Sequence, residues 1–232
     1  MPEPAEGTAA ALIRLDETTR RLRRECPWDR EQDERSIVPH TVEEAYELAD
    51  AAEAGDDAKL LDELGDVLFQ VYFLALLLEE RGEGDLGAVA EHCRRKLERR
   101  HPHIFGEVEV AGADEVLRNW DTIKREQESG GSLFGDLPET LPATLYARKA
   151  LRRAASAGHA EPAGEELAEE LEREARRLSE PGSREEAFDA AGDLLLAAVE
   201  LARRAGADPE LALRSAANRF MSSTEESERS GE

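Results

Sequence analysis

Residues 41–78 read TVEEAYELADAAEAGDDAKLLDELGDVLFQVYFLALLL, and the fold is decided by two acidic groups within this stretch. The first is Glu43-Glu44-Ala45-Tyr46-Glu47 and the second is Asp62-Glu63-Leu64-Gly65-Asp66. On a helix, residues three apart lie on one face, about 5–6 Å from each other. Glu44 with Glu47, and Glu63 with Asp66, therefore each present two carboxylates in one direction. Gly55-Asp56-Asp57 between them reads as a helix stop followed by a new N-cap. Two antiparallel helices joined there bring four carboxylates together.

Asp66 opens a run from Val67 to Leu78 that is apolar on nearly every face, and the run is expected to be buried. An unpaired carboxylate entering such a helix costs several kcal/mol or more. Carboxylates cannot neutralise one another, but a divalent cation can neutralise them. An all-oxygen set without Cys or His suits a hard ion, Mg²⁺ or Mn²⁺. Asp and Glu make up 53 of 232 residues, so the spacing also arises by chance, and Thr41-x-x-Glu44 is equally a plain capping box. The expected burial is what gives the pattern weight.

Composition narrows the partners. A net charge of −23 argues against nucleic-acid and anionic-membrane surfaces, while leaving room for a nucleotide as a small ligand. Cys26 and Cys93 lack metal spacing and no secretory leader is visible, which points to a reducing, cytoplasmic setting. The longest apolar run is 12 residues with Gln70 inside it, too short to span a bilayer.

Outward from the acidic stretch, Met1 to Gly7 is a Pro/Glu leader, and Thr8 is placed to cap a helix running to Glu25 with Leu12, Leu15 and Leu22 inward. Cys26-Pro27-Trp28-Asp29 breaks it, leaving Trp28 as either a plug over the bundle end or part of a substrate pocket. Beyond Gly82 and Gly84, Asp85 caps a helix with Val89, Cys93 and Leu97 inward. Its basic run, Arg94 to Arg100, includes Lys96, Arg99 and Arg100, which favour the helix dipole and would also suit a polyphosphate. His101 and His103 read as loop and capping residues.

A helix from about Asp114 puts Trp120 and Lys124 on one face. They are either a core Trp beside a surface Lys, or an aromatic wall with a phosphate contact. Residues 129–138 form a linker, starting with Ser129-Gly130-Gly131-Ser132. Helical patterns follow at Ala143–Ala157, Gly164–Leu178, Ser183–Ala205 and Asp208–Phe220, and the Ser/Glu-rich tail 222–232 is expected to be disordered. No segment alternates at period two, so the fold class is all-α.

The second half echoes the first. Gly192-Asp193-Leu194-Leu195-Leu196 matches Gly65-Asp66-Val67-Leu68-Phe69, and Arg219-Phe220 matches Lys96-Leu97. Ala190 stands where the first copy has Glu63, and Ser223 where it has Arg100.

Taken in order, Cys26-Pro27-Trp28-Asp29, Glu43 to Glu47, Glu63-Leu64-Gly65-Asp66, Lys96 to His103, and Asn119-Trp120 with Lys124 resemble the MazG nucleoside triphosphate pyrophosphohydrolases of the all-α NTP pyrophosphatase superfamily. The resemblance covers residues 8–128 closely and 139–221 loosely. It implies tandem helical modules, the second degenerate, that assemble as a homodimer and cleave an NTP to NMP and pyrophosphate in nucleotide-pool house-cleaning. Glu44, Glu47, Glu63 and Asp66 match metal ligands for Mg²⁺, and Glu43 or Glu47 a base. Lys96, Arg100, Trp120 and Lys124 match nucleotide-contacting positions, and Arg99 and Trp28 are added as candidate substrate contacts.

Alternatives are a dUTPase-like or phosphoribosyl-ATP pyrophosphohydrolase relative, and a non-catalytic helical interaction module. A ferritin-like di-iron bundle needs two Glu-x-x-His motifs, and the chain offers Glu98-x-x-His101 alone.

Overall fold

The acidic stretch folds as a helical hairpin whose caps come from the sequence itself. Helix α2 (Glu34–Ala54) starts where the Asp33 carboxylate accepts the Ser36 N–H at 2.9 Å and Ser36 Oγ accepts the Asp33 N–H at 2.9 Å. Thr41 is therefore inside the helix rather than at its cap, with Oγ1 donating to the Ile37 carbonyl. Pro39 also lies inside, near enough the start to forfeit one backbone bond without ending the helix. Gly55, at φ 67°, closes α2, as the left-handed conformation at that position requires. Asp56 then caps α3 (Asp57–Glu80), accepting the Ala58 and Lys59 N–H groups at 3.1 Å each.

The structure, a computed structural model, describes residues 7–128, 132–135 and 137–230. Most of the leader, all of Ser129-Gly130-Gly131 and Asp136 lie outside them. The chain divides into two compact units, Met1–Glu98 and Arg99–Glu232. Among the described residues every regular element is helical.

In the first unit the core joins Ile37 of α2 to Phe73 and Leu77 of α3, with Phe69 and Leu74 against them. Burying side chains of this size stabilises by about 1.5–3 kcal/mol each. Helix α1 (Gly7–Glu25), in which Thr8 is already helical, is tied to the C-terminal end of α3. Arg20 forks onto Glu79 at 3.0 and 2.5 Å, Arg23 onto Glu80 at 2.9 and 2.8 Å, and the Arg23 guanidinium also lies over the Phe73 ring.

Because α1 reaches only that end, the apolar run is not buried on all faces. Leu61, Leu64, Leu68 and Val71 form an open stripe, Leu61 being 75% exposed. On α2, Val38 and Val42 are exposed as well. Helix α4 (Leu86–Arg100) packs only marginally on other helices, so Cys93 and Leu97, expected to face inward, are exposed.

The second unit contains α5 (Pro102–Phe105), α6 (Ala113–Glu128), α7 (Ala143–Ser156), α8 (Gly164–Ser179), α9 (Arg184–Arg204) and α10 (Pro209–Ser230). Helices α8 and α9 form the main pair, burying Leu167, Ala190, Ala197 and Val199, with α7 against α9. The helices read from periodicity over 143–205 appear within a residue or so of their expected ends. The tail is a correction: α10 continues to Ser230, its Thr224, Ser223 and Ser227 hydroxyls bonding back to carbonyls and Arg229 pairing with Glu225. Those local bonds support a helix that composition assigns to disorder.

Candidate metal centre

Antiparallel packing of α2 on α3 brings together carboxylates from both acidic groups. One oxygen from each of Glu44, Glu63 and Asp66 lies within 4.8 Å of the others. Among the described residues this is the one place where three metal-ligating side chains converge so closely. Glu63 is 5% exposed, Glu44 is half-buried and Asp66 is exposed.

The burial order reverses the expectation. Asp66 was expected to be the buried member, yet it is exposed, while Glu63 falls on the same row as buried Gln70 and Leu77. The desolvated charge of the site is thus Glu63. Lys59, four residues upstream, comes within 4.0 Å of Glu63 Oε1, and Glu63 Oε2 is buried without a hydrogen-bond partner. The Lys59/Glu63 spacing is legible in the sequence as a helical i, i+4 pair.

Both deeper carboxylates hold their protons more tightly than usual. Burial raises the pKa of Glu63 from its ordinary value of 4.5, with Glu47 adding to the effect, Lys59 opposing it, and Asp66 and Asp62 contributing less. Glu44 is raised by burial first, then by the charges of Asp66, Glu47 and Glu63. Like charges held this close disfavour joint ionisation. A cation would relieve both causes, and the unpartnered buried Glu63 oxygen is what a ligand of a hard divalent ion looks like before the ion binds. The donor set and this orphaned atom fit Mg²⁺ or Mn²⁺.

Glu47 is exposed, outside the group of three but close enough to raise the Glu63 pKa. Glu43 is exposed on another side of α2, 3.6 Å from His40 Nδ1. Trp28 stands edge-on to His40 with centroids 5.9 Å apart and is 52% exposed, so it plugs no core.

On α4, Arg94 pairs with Glu91 and Glu98, and Arg95 with Glu91 at 2.8 Å, so these two cations are engaged along their own helix. That double contact holds the Glu91 carboxyl down at about 2. Lys96 is half-buried on the same helix. In the second unit, Arg100 is buried with its guanidinium 5.1 Å from the Trp120 ring centroid, and His101 meets that ring edge-on at 4.9 Å. Lys124 is half-buried on α6, and Arg99 is exposed.

The model of the MazG nucleotide pyrophosphohydrolase domain matches residues 32–105, which contain the whole carboxylate group. A crystal structure of a mazG-related protein from Thermotoga maritima is similar with a TM-score of 0.43 and 26% identity, over 49% of this chain and 98% of that one. The nucleoside triphosphate pyrophosphohydrolase of Escherichia coli (strain K12) is 37% identical over 204 residues, 84% of this chain and 77% of the relative. The nucleoside triphosphate pyrophosphohydrolase/pyrophosphatase MazG of Thermotoga maritima is 35% identical over 199 residues, 84% and 76% of the two chains. The chain belongs to the MazG family of nucleotide pyrophosphohydrolases, hydrolases that act on acid anhydrides.

Proposed function

We propose that this protein hydrolyses nucleoside triphosphates to the nucleoside monophosphate and pyrophosphate, dependent on Mg²⁺ or Mn²⁺, as a house-cleaning enzyme of the cytoplasmic nucleotide pool. The observation that carries the proposal is the convergence of Glu44, Glu63 and Asp66 around a buried, unpartnered carboxylate oxygen in a chain of this family.

Glu44, Glu63 and Asp66 would hold the cation. When bound, it neutralises phosphate charge and acidifies water nearby. Glu47, exposed beside the group, is the first candidate to accept a proton from attacking water, and Glu43 is the second. Lys96, Arg99, Arg100 and Lys124 are assigned to the phosphates, with Trp120 and Trp28 as aromatic contacts for the base.

The catalytic module is assigned to residues 8–128, with 129–138 as linker and 139–221 as a degenerate module. Support comes from the family match at 32–105, and from Ala190 in the place of Glu63. A homodimer accounts for the open stripe of Leu61, Leu64, Leu68 and Val71, which a second copy would cover. Gly65 adds to this, since a Cβ there would meet nothing within 4 Å although glycine costs a helix about 1 kcal/mol. No described helix is long and apolar enough to cross a membrane, and the chain's charge disfavours nucleic acid.

The test is an assay of ordinary and damaged NTPs with Mg²⁺, the products resolved by chromatography. NMP plus pyrophosphate is expected. NDP plus orthophosphate as first products would overturn the proposal.

A further inference from the structure

In a chain with 53 acidic and 30 basic residues, one concavity reverses the sign. Within the second unit, α7, the end of α9 and the turn into α10 enclose a cavity of about 810 Å³ whose wall carries Arg148, Lys149, Arg152, Arg203 and Arg204. Two carboxylates, Glu161 and Asp208, share that wall.

Ion pairs pin three of the five cations. Arg148 bonds Asp208, Arg152 lies 3.0 Å from the buried Asp121, and Arg203 bonds the buried Glu200 at 2.7 Å as well as Glu161. A guanidinium has five N–H donors, so Arg148 and Arg152, each using one terminal nitrogen on its carboxylate, keep donors for another acceptor. Arg204 donates to the Pro162 carbonyl, and neither Arg204 nor Lys149 forms an ion pair among the described residues. Pre-positioned guanidiniums beside cations lacking a counter-ion suit a multiply charged oxyanion better than a single carboxylate. The volume is also that of a small-molecule site.

We propose that this cavity binds a phosphate-bearing anion, either free pyrophosphate or the polyphosphate chain of a nucleotide. The site is separate in sequence from the carboxylates of α2 and α3, and its occupant needs no divalent ion. A ligand entering it would supply the counter-charge that Lys149 and Arg204 lack among the described residues.

The test is calorimetric titration of the full-length protein in EDTA with sodium pyrophosphate, with ATP, and with adenosine as the phosphate-free control. Metal removal leaves the α2–α3 site as bare carboxylates, which repel the probe. Pyrophosphate and ATP are expected to bind, and adenosine not to. ATP binding much tighter than pyrophosphate assigns the site to a nucleotide, and equal binding assigns it to the phosphates alone. Lys149→Glu is expected to weaken pyrophosphate at least tenfold, Lys149→Ala less, and Glu63→Ala not at all, with unchanged thermal melts for both Lys149 variants. Absence of metal-free binding, wild-type binding by Lys149→Glu, or loss of binding in Glu63→Ala would each overturn the proposal.

Discussion

The helical pairs α2–α3 and α8–α9 carry related sequences and solve opposite problems. In the first, buried Glu63 leaves one oxygen without a partner and meets Glu44 and Asp66 across the hairpin. In the second, Ala190 takes the place of Glu63 and is equally buried, so the same position is filled by packing alone. The second pair buries two acids: Glu174, which accepts from Arg173 at 3.0 Å and from Arg177, and Glu200, which accepts from Arg203 at 2.7 Å, while Arg177 also lies 3.6 Å from Asp193. Arginines hydrogen-bond the buried acids of the second pair, whereas in the first pair the positive charge beside Glu63 is Lys59, 4.0 Å from one oxygen and leaving the other without a partner. The second pair meets its buried charge with hydrogen-bonded arginine, and the first leaves a carboxylate oxygen open to a cation.

The largest expected effect concerns turnover. Glu63→Ala in the full-length chain should lower kcat by about a thousandfold or more, since metal assistance is worth several kcal/mol and each 1.36 kcal/mol is tenfold. Asp193→Ala should stay within a few fold. Steady-state kinetics on the two variants decides it, and a reversed outcome moves catalysis to the second half.

Stability gives the next contrast. Mg²⁺ at a hundred times its Kd should raise stability by about 2.7 kcal/mol. Asp66→Asn should lose that gain, yet keep or exceed the metal-free melting temperature, because it removes one of the mutually repelling charges. A metal-free loss above about 2 kcal/mol would instead show that Asp66 holds the fold together. Glu174→Gln should cost about 1 kcal/mol with or without metal, a modest figure because Arg173 and Arg177 are half-exposed.

Protons should separate the pairs too. Glu44 and Glu63 have raised pKa values, so the stability that comes with their protonation is present below the ordinary value of 4.5 and is lost as pH rises through the raised values. Metal affinity runs the other way and should weaken as pH falls into that range, with proton release on binding. Glu79 and Glu80, lowered by Arg20 and Arg23, oppose the first trend: their stability is present above the ordinary value and lost as pH falls through the lowered ones. Thermal melts across pH with EDTA and with Mg²⁺ should therefore diverge most above the raised carboxylate range.

The smallest effect is at the two matched glycines. Gly65 and Gly192 both have open space where a Cβ would go. Gly192→Ala should gain about 0.5–1 kcal/mol of helix stability at unchanged activity. Gly65→Ala should gain as much in the melt but lose activity or dimer, as size-exclusion chromatography and assay would show.

Much of this was legible in residues 41–78. The glycine and aspartate between the acidic groups announce the turn, and the i, i+3 spacing puts Glu63 with Asp66, while Glu47, paired with Glu44 by the same spacing, stays outside the group of three. Burial was harder to read. The run Val67–Leu78 looks buried on all faces, but α1 covers only its C-terminal end, so Asp66 and the Leu61 stripe are open. Periodicity records which residues are apolar, not how far a neighbouring helix extends. The basic run of α4 shows a similar limit, since partners on their own helix at three and four residues engage Arg94 and Arg95. The tail's helix was hidden because hydroxyl-to-carbonyl bonds leave no mark in composition.

The central claim is that the α2–α3 carboxylates hold the divalent cation. Its most direct test is calorimetric titration of Mn²⁺ and Mg²⁺ into the wild-type, Glu63→Ala and Asp193→Ala proteins. Binding with proton release in the wild type and Asp193→Ala, and its loss in Glu63→Ala, is the predicted result. Undiminished binding in Glu63→Ala, or its loss in Asp193→Ala, would contradict the claim.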